Sequence, residues 1–297
     1  MPPASDPNLA AAPPDWAEAI LAAARLTGPA ELAALSDGPR APRVLDVRWQ
    51  LGRPDSQSDY LAGHIPGAVF ADLDAELAAP PSPAAGRHPL PAPAAFQAAV
   101  RRWGLNPGDA IVIYDGAGNY AAARAWWLLV YAGFDNVSLL DGALPAWTAA
   151  GLPLESGAAV PPPGHATVAS PGRLPALDID QAAAFPAAGK LLDARAPERY
   201  LGLTEPIDPR PGHIPGAVNA PTGDNLDPAG RFWPPDRLRA RFESLGIHPG
   251  SPVAAYCGSG VTAAHEVFAL ALAGIPAALY PGSWSQWSHT DRPAASG

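Results

Sequence analysis

The sequence contains one cysteine, Cys257, in 297 residues. A single cysteine cannot close a disulfide within the chain, so the fold does not depend on an oxidising compartment. No run of about 20 apolar residues could span a bilayer, and the first residues lack the basic start and apolar core of a signal peptide. We therefore expect a cytoplasmic protein that has no membrane as a partner.

Basic residues are also few, with 19 Lys and Arg against 28 Asp and Glu, which gives a formal net charge of −9. This composition leaves no broad basic surface to neutralise phosphates, so we expect no nucleic acid partner. The histidines show neither an HExxH run nor paired Cys/His spacing, and we expect no metal site. Gly116 and Gly118 lack the third glycine of a GxGxxG motif, and we expect no cofactor.

What the sequence does contain is an internal repeat. The segment His64–Val69 recurs without change as His213–Val218. Upstream of each copy an apolar run ends in an acid and a base, as Val44–Arg48 in one half and Leu191–Arg195 in the other. A period of roughly 140–150 residues is the size of a whole domain, so the repeat predicts duplication of a complete fold.

Proline-rich stretches indicate where the domains end, because proline interrupts helices and removes backbone donors. We divide the chain into a Pro/Ala tail at residues 1–15, a first domain at 16–150, a linker at 151–175 and a second domain at 176–297. A further Ala/Pro stretch, Ala78–Pro93, is interpreted as a loop.

Within each half, apolar runs of strand length alternate with longer Ala/Leu-rich segments. This alternation predicts an α/β fold in which each half is a mostly parallel, buried sheet flanked by helices. Gly133 and Gly274 stand where helix C-terminal caps are expected. The predicted strands are Arg43–Val47, Ala110–Tyr114, Lys190–Ala194 and Val253–Tyr256, and the predicted helices are Ala121–Tyr131 and Ala263–Ala273.

Cys257 stands at the carboxyl end of a predicted strand, ahead of two glycines and a predicted helix. Ligands of parallel sheets bind outside the carboxyl ends of strands, where helix N-termini present unpaired N–H groups. Gly258 and Gly260 would let the loop curl so that successive N–H groups converge and favour a thiolate over a thiol. A free cysteine is more often a small buried hydrophobe, but this position predicts a nucleophile.

The loop Cys257–Thr262, the duplicated HIPGAV segment and the segment Gly282–Trp284 together resemble the tandem-domain rhodanese family. The neutral Cys-Gly-Ser-Gly-Val-Thr loop is more similar to that of 3-mercaptopyruvate sulfurtransferases than to that of thiosulfate sulfurtransferases, whose loop typically carries charges. The resemblance implies two rhodanese-like α/β domains, of which the first is inactive. Asp115 occupies the position of Cys257 in the first half and cannot hold a transferable sulfur, which supports the same asymmetry.

The resemblance also implies which residues bind the substrate. Arg199 and Arg210 match the two arginines with which the family grips the carboxylate and carbonyl of its substrate, and a planar guanidinium can bind a carboxylate through two hydrogen bonds. The alternative is that both arginines form surface ion pairs with neighbouring acids. The sulfur anion would be held by amides of the loop, at Gly258, Gly260, Val261 and Thr262.

Ser259 and His64 are the remaining candidates. Ser259 is assigned to catalysis, because its hydroxyl could polarise the substrate carbonyl or pass a proton to the departing enolate, although it could also merely stabilise the loop. His64 resembles a first-domain histidine proposed in the family to support that serine. Because His213 repeats His64, a duplicated structural turn is the competing interpretation.

These expectations combine into a two-step sulfur transfer. Cys257 would take sulfur from 3-mercaptopyruvate, release pyruvate and pass the persulfide sulfur to a thiol such as reduced thioredoxin, or to cyanide. Thiosulfate is the alternative donor, and a non-enzymatic module that binds partners or senses oxidation is a further alternative. A cysteine phosphatase is disfavoured, because the position that would carry its phosphate-binding arginine is Ala263.

Overall fold

A computed structural model of the chain describes residues 14–36, 38, 41–53, 55–169, 172–248 and 250–297. These residues form two parallel β-sheets, one in each half, and each is flanked by helices. The predicted α/β fold and its duplication are confirmed. Of the tail predicted at residues 1–15, positions 1–13 lie outside the described residues. Within the described ranges, no helix combines the length and apolar content needed to cross a bilayer.

The first sheet has the strand order β1-β5-β4-β2-β3, and all of its neighbouring strands are parallel. Its strands are β1 (Leu26–Thr27), β2 (Arg43–Asp46), β3 (Val69–Phe70), β4 (Ile111–Tyr114) and β5 (Val137–Leu140). The helices of this half are α1 (Pro14–Ala23), α2 (Pro29–Ser36), α3 (Ser56–Ala62), α4 (Leu73–Glu76), α5 (Pro93–Arg102), α6 (Ala122–Tyr131) and α7 (Ala143–Ala149).

The second sheet has the order β7-β6-β8-β9, again with parallel neighbours. Its strands are β6 (Lys190–Asp193), β7 (Val218–Asn219), β8 (Val253–Tyr256) and β9 (Ala278–Leu279). The helices are α8 (Ile179–Ala184), α9 (Pro197–Tyr200), α10 (Pro235–Ser244), α11 (Thr262–Leu272) and α12 (Ser283–Trp287), with 3-10 turns at Phe185–Ala187 and Thr222–Asn225.

The strands of each sheet centre are apolar because helices cover both of their faces. Every residue of β4 and β8 is buried. β2 and β6 end one residue earlier than predicted, and each ends at an aspartate that pairs with an arginine two residues further on. The N···O distance is 2.6 Å in both pairs, Asp46 with Arg48 and Asp193 with Arg195.

The repeated HIPGAV segment is a structural turn in both halves. The His64 ring stacks on Tyr60 with 4.1 Å between centroids, and the His213 ring stacks on Tyr200 at 3.7 Å. Each histidine also places its Nδ1 within hydrogen-bonding distance of the carbonyl of that tyrosine, at 2.9 and 2.7 Å. The identical contacts explain why the motif recurs.

The two halves share one hydrophobic core, since a single cluster of buried apolar residues includes side chains from α6 and α11. At its centre the rings of Trp126 and Phe268 meet edge to face, with centroids 4.8 Å apart. Aromatic pairs prefer this geometry, which stabilises them beyond the area they bury. The loops that precede α6 and α11 are therefore brought close to the same interface.

The segment that we propose as the linker, residues 151–175, follows the surface of the first half, and its positions 170 and 171 lie outside the described residues. Its amides donate to first-half carbonyls, with 2.7 Å from Gly164 to Arg101 and 2.8 Å from Ala169 to Ala132. Backbone hydrogen bonds thus tie this proline-rich stretch to the first half.

Candidate active site

Cys257 directly follows the buried strand β8, and four residues separate it from the start of α11 at Thr262. Its residue surface is 1% exposed. The backbone N–H of Gly260 donates to the Cys257 Sγ at 3.1 Å. The cysteine therefore lies at the carboxyl end of the sheet. Of the four loop amides named from the sequence, that of Gly260 donates to the sulfur among the described residues, and the roles of Gly258, Val261 and Thr262 remain predictions.

The loop is held from behind by the segment that begins α12. Ser283 Oγ accepts from the Cys257 N–H at 3.1 Å, and the N–H of Trp284 donates to the Cys257 carbonyl at 2.9 Å. Gly260 has a φ of +79°, and a Cβ at this position would lie 2.5 Å from the Pro281 carbonyl oxygen. Since no other side chain fits there, the loop conformation requires this glycine.

The corresponding loop of the first half holds an anion of its own. The Asp115 carboxylate accepts from the N–H groups of Ala117 and Asn119 at 2.9 Å each, and from those of Ala121 and Ala122 at 2.8 and 3.3 Å. Amides that converge in this way form an anion-binding nest. The duplicated loop geometry therefore does bind negative charge where a carboxylate replaces the cysteine.

Ser259 contacts the first-half residue His88 across the interface between the halves, and His88 in turn contacts Asp74. His88 Nδ1 lies 2.8 Å from Ser259 Oγ, and His88 Nε2 lies 3.1 Å from an oxygen of Asp74. The indole N–H of Trp49 also donates to Asp74, at 3.1 and 3.2 Å from its two oxygens. Serine, histidine and aspartate thus form a continuous hydrogen-bonded chain.

His88 is neutral at neutral pH, because burial lowers its pKa to about 4 although Asp74 opposes the shift. An ionised Asp74 can only accept, so the proton of neutral His88 lies on Nε2 and is donated to Asp74. Nδ1 is then an acceptor, and the Ser259 hydroxyl donates to it. This tautomer leaves the serine oxygen polarised and ready to exchange a proton with a bound molecule.

The expectation for His64 is corrected by this arrangement. His64 is fully buried in its turn, where it stacks on Tyr60, and the histidine that contacts Ser259 is His88. His64 and His213 have the same structural role. The missed signal was present in the sequence, since Arg87 and His88 are the only titratable residues of the Ala/Pro stretch Ala78–Pro93.

Two guanidinium groups lie beside the loop that runs from Cys257 to the start of α11, which we call the catalytic loop. A Cβ at Gly258 would lie 3.0 Å from Arg87 Nη2 and 3.3 Å from Arg199 Nη1. Between the two arginines lies Asp208, which forms an ion pair with Arg87 and a second one with Arg199 at 3.2 Å. Glu205 also binds Arg199, at 2.6 Å. Arg199 thus lies beside this loop, and it also forms the ion pairs with neighbouring acids that were the alternative interpretation, so its role in binding the substrate remains a prediction.

The expectation for Arg210 is wrong. Its guanidinium donates to backbone carbonyls of the C-terminal segment, at 3.1 Å to Ser288 and Arg292 and 3.3 Å to Trp287. Those bonds direct the side chain away from the loop and satisfy its donors elsewhere. Arg87, from the first half, lies beside Gly258 instead. Its isolation in the Ala/Pro stretch marked it as unusual, but the sequence could not show which distant residues it contacts.

A pocket of about 410 Å³ opens beside these groups. Its lining includes Trp49, Asp74, Arg87 and His88, together with Leu51. A mostly apolar pocket with a few converging polar groups is typical of a small-molecule site. The pocket reaches Arg87 and His88, and the loop of Cys257 lies behind these two side chains, so a small anion bound beside them would be near Ser259.

The low pKa of His88 predicts an acid-sensitive contribution to stability. Neutral His88 stabilises the folded state above pH 6.5, and that contribution is lost as the pH falls through about 4. Between these pH values wild type should lose roughly 1–3 kcal/mol more free energy of unfolding than His88→Gln, which does not titrate. Urea unfolding at several pH values measures the difference. His165→Gln, at an exposed histidine, is the control that should follow wild type, and parallel curves for wild type and His88→Gln would contradict the assignment.

Comparison with known proteins gives the chain its family. The rhodanese-like domain family matches residues 28–150 and 178–290. The putative thiosulfate sulfurtransferase SseB of Mycobacterium tuberculosis is 46% identical over 261 residues, which cover 87% of this chain and 92% of that protein. A probable 3-mercaptopyruvate sulfurtransferase of Pseudomonas aeruginosa is 48% identical over 265 residues, with 86% and 92% covered.

A solved structure agrees with these relatives. SseA from Escherichia coli, described as a 3-mercaptopyruvate sulfotransferase, superposes with a TM-score of 0.77 at 36% identity, and the match covers 88% of this chain and 98% of that one. The resemblance inferred from the catalytic loop and the repeated turn is confirmed over both halves. The chain belongs to the rhodanese family, as a sulfurtransferase built from two rhodanese-like domains.

Proposed function

We propose that the protein takes sulfur from 3-mercaptopyruvate onto Cys257, releases pyruvate and passes the sulfur from the Cys257 persulfide to a thiol. The observation that carries this proposal is the nest around Asp115. A carboxylate oxygen is separated from Cα by the same number of bonds as the outer sulfur of a cysteine persulfide. The first half therefore contains a permanent analogue of the charged intermediate proposed for the second.

The analogy also suggests which groups hold the persulfide. Asp115 corresponds to Cys257, and Gly118 corresponds to Gly260, with similar φ values of +71° and +79°. The amides of Ala117 and Asn119 then correspond to those of Ser259 and Val261. A persulfide sulfur would accept from these amides in addition to the Gly260 amide, and such oriented dipoles stabilise an anion without reorganisation.

The donor would bind through its carboxylate to Arg87 and Arg199, which lie against Gly258. A guanidinium can hold a carboxylate through two parallel hydrogen bonds, which fixes its orientation as well as its position. Asp208, which bridges both arginines, would exchange one of these contacts for the donor. Proximity of the donor sulfur to Cys257 would follow from this anchoring.

In the first step the Cys257 thiolate attacks the donor sulfur, an S–S bond forms, and the C–S bond breaks. The electron pair of that bond remains with pyruvate as its enolate. The proton carried by the donor sulfur is transferred to the enolate carbon, and the hydroxyl of Ser259, hydrogen-bonded to neutral His88, is placed to relay it. The products are a persulfide anion on Cys257 and pyruvate.

In the second step a thiolate attacks the outer sulfur and leaves with it, which restores the Cys257 thiolate. Cyanide could accept the same sulfur. We propose reduced thioredoxin as the protein acceptor and the cytoplasm as the place of action, on the basis of the sequence alone. The chemistry requires an exposed low-pKa thiol on the acceptor, because the thiolate is the attacking species.

Mass spectrometry tests the proposed function directly. After incubation with 3-mercaptopyruvate and removal of excess donor, the intact protein should gain the mass of one sulfur atom, located on the peptide that contains Cys257. The Cys257→Ser protein is the control and should gain none. A wild-type protein that releases no pyruvate and gains no sulfur would instead support a binding or redox-sensing module.

Thiosulfate remains the second candidate donor, since the two relatives carry names for both substrates. Two features favour 3-mercaptopyruvate. Asp208 and Glu205 offset the positive charge of Arg87 and Arg199, which suits a monoanion better than a dianion. The leaving group of 3-mercaptopyruvate is an enolate that must be protonated on carbon, and the hydrogen-bonded pair of Ser259 and His88 suits that proton transfer. The leaving group of thiosulfate is sulfite, which needs no such protonation.

Asp208→Asn should therefore change the preference between donors. Removal of one negative charge beside the arginines should raise kcat/KM for thiosulfate roughly tenfold relative to that for 3-mercaptopyruvate, because the dianion gains more from the added positive potential. Steady-state rates with both donors measure this ratio. Asp236→Asn makes the same change in net charge at an exposed site on α10 and should leave the ratio unaltered. An unchanged ratio in Asp208→Asn would rule out this basis for donor choice.

A further inference from the structure

Arg124, on α6 of the first half, is completely buried beneath the catalytic loop of the second half. Its guanidinium donates to the carbonyl of Gly260 at 3.3 Å. It also donates to the carbonyls of Leu77, His88 and Pro89, at 3.0 to 3.3 Å. Arg124 thus joins the loop of Cys257 to the segment that carries His88.

The charge of Arg124 has no carboxylate partner among the described residues, where the ion pairs involve other arginines and His88. Burial of an unpaired cation is unfavourable, and carbonyl dipoles offset only part of the loss of hydration. Burial lowers the pKa of Arg124 to about 10, and negative charge on Cys257 opposes that shift. Arg124 therefore remains a cation at neutral pH, close to the nucleophile.

The matching contact in the other half is neutral. Gly118, the counterpart of Gly260, has its carbonyl 3.1 Å from Nε2 of His265 on α11. Burial lowers the pKa of His265 to about 3, and Thr222 binds its Nδ1 at 2.7 Å, so the ring is uncharged. Helix α6 thus contacts the second-half loop through Arg124, and helix α11 contacts the first-half loop through His265. The cation faces the cysteine loop, whereas the neutral imidazole faces the loop in which amides already satisfy Asp115.

We propose that Arg124 is a positioning residue that supplies the countercharge for the anion on Cys257 and fixes the loop through Gly260, whose amide donates to Sγ. Stabilisation of the Cys257 thiolate by Arg124 does not depend on which donor supplies the sulfur. The persulfide part of the proposal rests on the proposed function.

The other charged groups around Cys257 do not replace Arg124. Arg87 and Arg199 lie at the outer side of the loop, and Asp208 binds both. His88 is neutral, because burial lowers its pKa to about 4. Without Arg124, the loop would therefore lose the one cation near Cys257 that no carboxylate of the described residues offsets.

The pH dependence of Cys257 alkylation by iodoacetamide tests the proposal. In Arg124→Met the midpoint of alkylation should move upward by about one pH unit or more, because a buried countercharge is lost. Arg124→Lys keeps the charge and should stay within about half a unit of wild type. His265→Gln disturbs the matching contact at the interface and should not shift the midpoint. An Arg124→Met protein with the wild-type midpoint would overturn the proposal.

A second measurement applies if Arg124→Met does not fold. In the Cys257→Ser protein the buried cation Arg124 has no anion beside it at any pH. The melting temperature of this variant should therefore fall increasingly below that of wild type as the pH rises towards about 8.5, the ordinary pKa of a cysteine thiol. A constant difference across pH would contradict the countercharge role. Neither measurement uses a sulfur donor, so a protein that fails to gain sulfur from 3-mercaptopyruvate would contradict the proposed function and leave the countercharge result standing.

Discussion

The packing of α6 against α11 is the contact on which the active site depends. Trp126 and Phe268 meet at the centre of a core that both halves share. This packing brings the first turn of each helix against the loop of the opposite half, so Arg124 reaches Gly260 and His265 reaches Gly118. Neither half could place these groups alone, because each donor and its acceptor come from different halves of the chain.

Duplication of the fold has produced two corresponding loops, with Asp115 in one and Cys257 in the other. In the first half the anion is the Asp115 carboxylate, which four amides bind. In the second half Cys257 takes the equivalent position, and the Gly260 amide donates to its sulfur. The first half also provides side chains beside the loop of Cys257, since Arg87, His88 and Asp74 all come from its sequence.

Local sequence pattern was sufficient to predict the four strands β2, β4, β6 and β8 to within one residue, the helices α6 and α11, and the position of Cys257 at the end of a strand. Apolar periodicity and the repeat determine these features, and both are visible along the chain. His88 and Arg87 were missed, because His88 meets Ser259 across 171 residues of sequence and no short pattern encodes such a contact. His64 and Arg210 were assigned by similarity of neighbouring motifs, whereas local hydrogen bonds hold both of them elsewhere.

The central claim is that a histidine from one half and a serine from the other act as a unit on the bound donor. Single-turnover formation of the Cys257 persulfide from 3-mercaptopyruvate, measured in His88→Ala, Ser259→Ala and the double variant, tests it most directly. Each single substitution should slow the step by about 10²–10³-fold, and the double variant should be no more than about threefold slower than either. Effects that multiply in the double variant would show that the two residues act independently and would contradict the shared site.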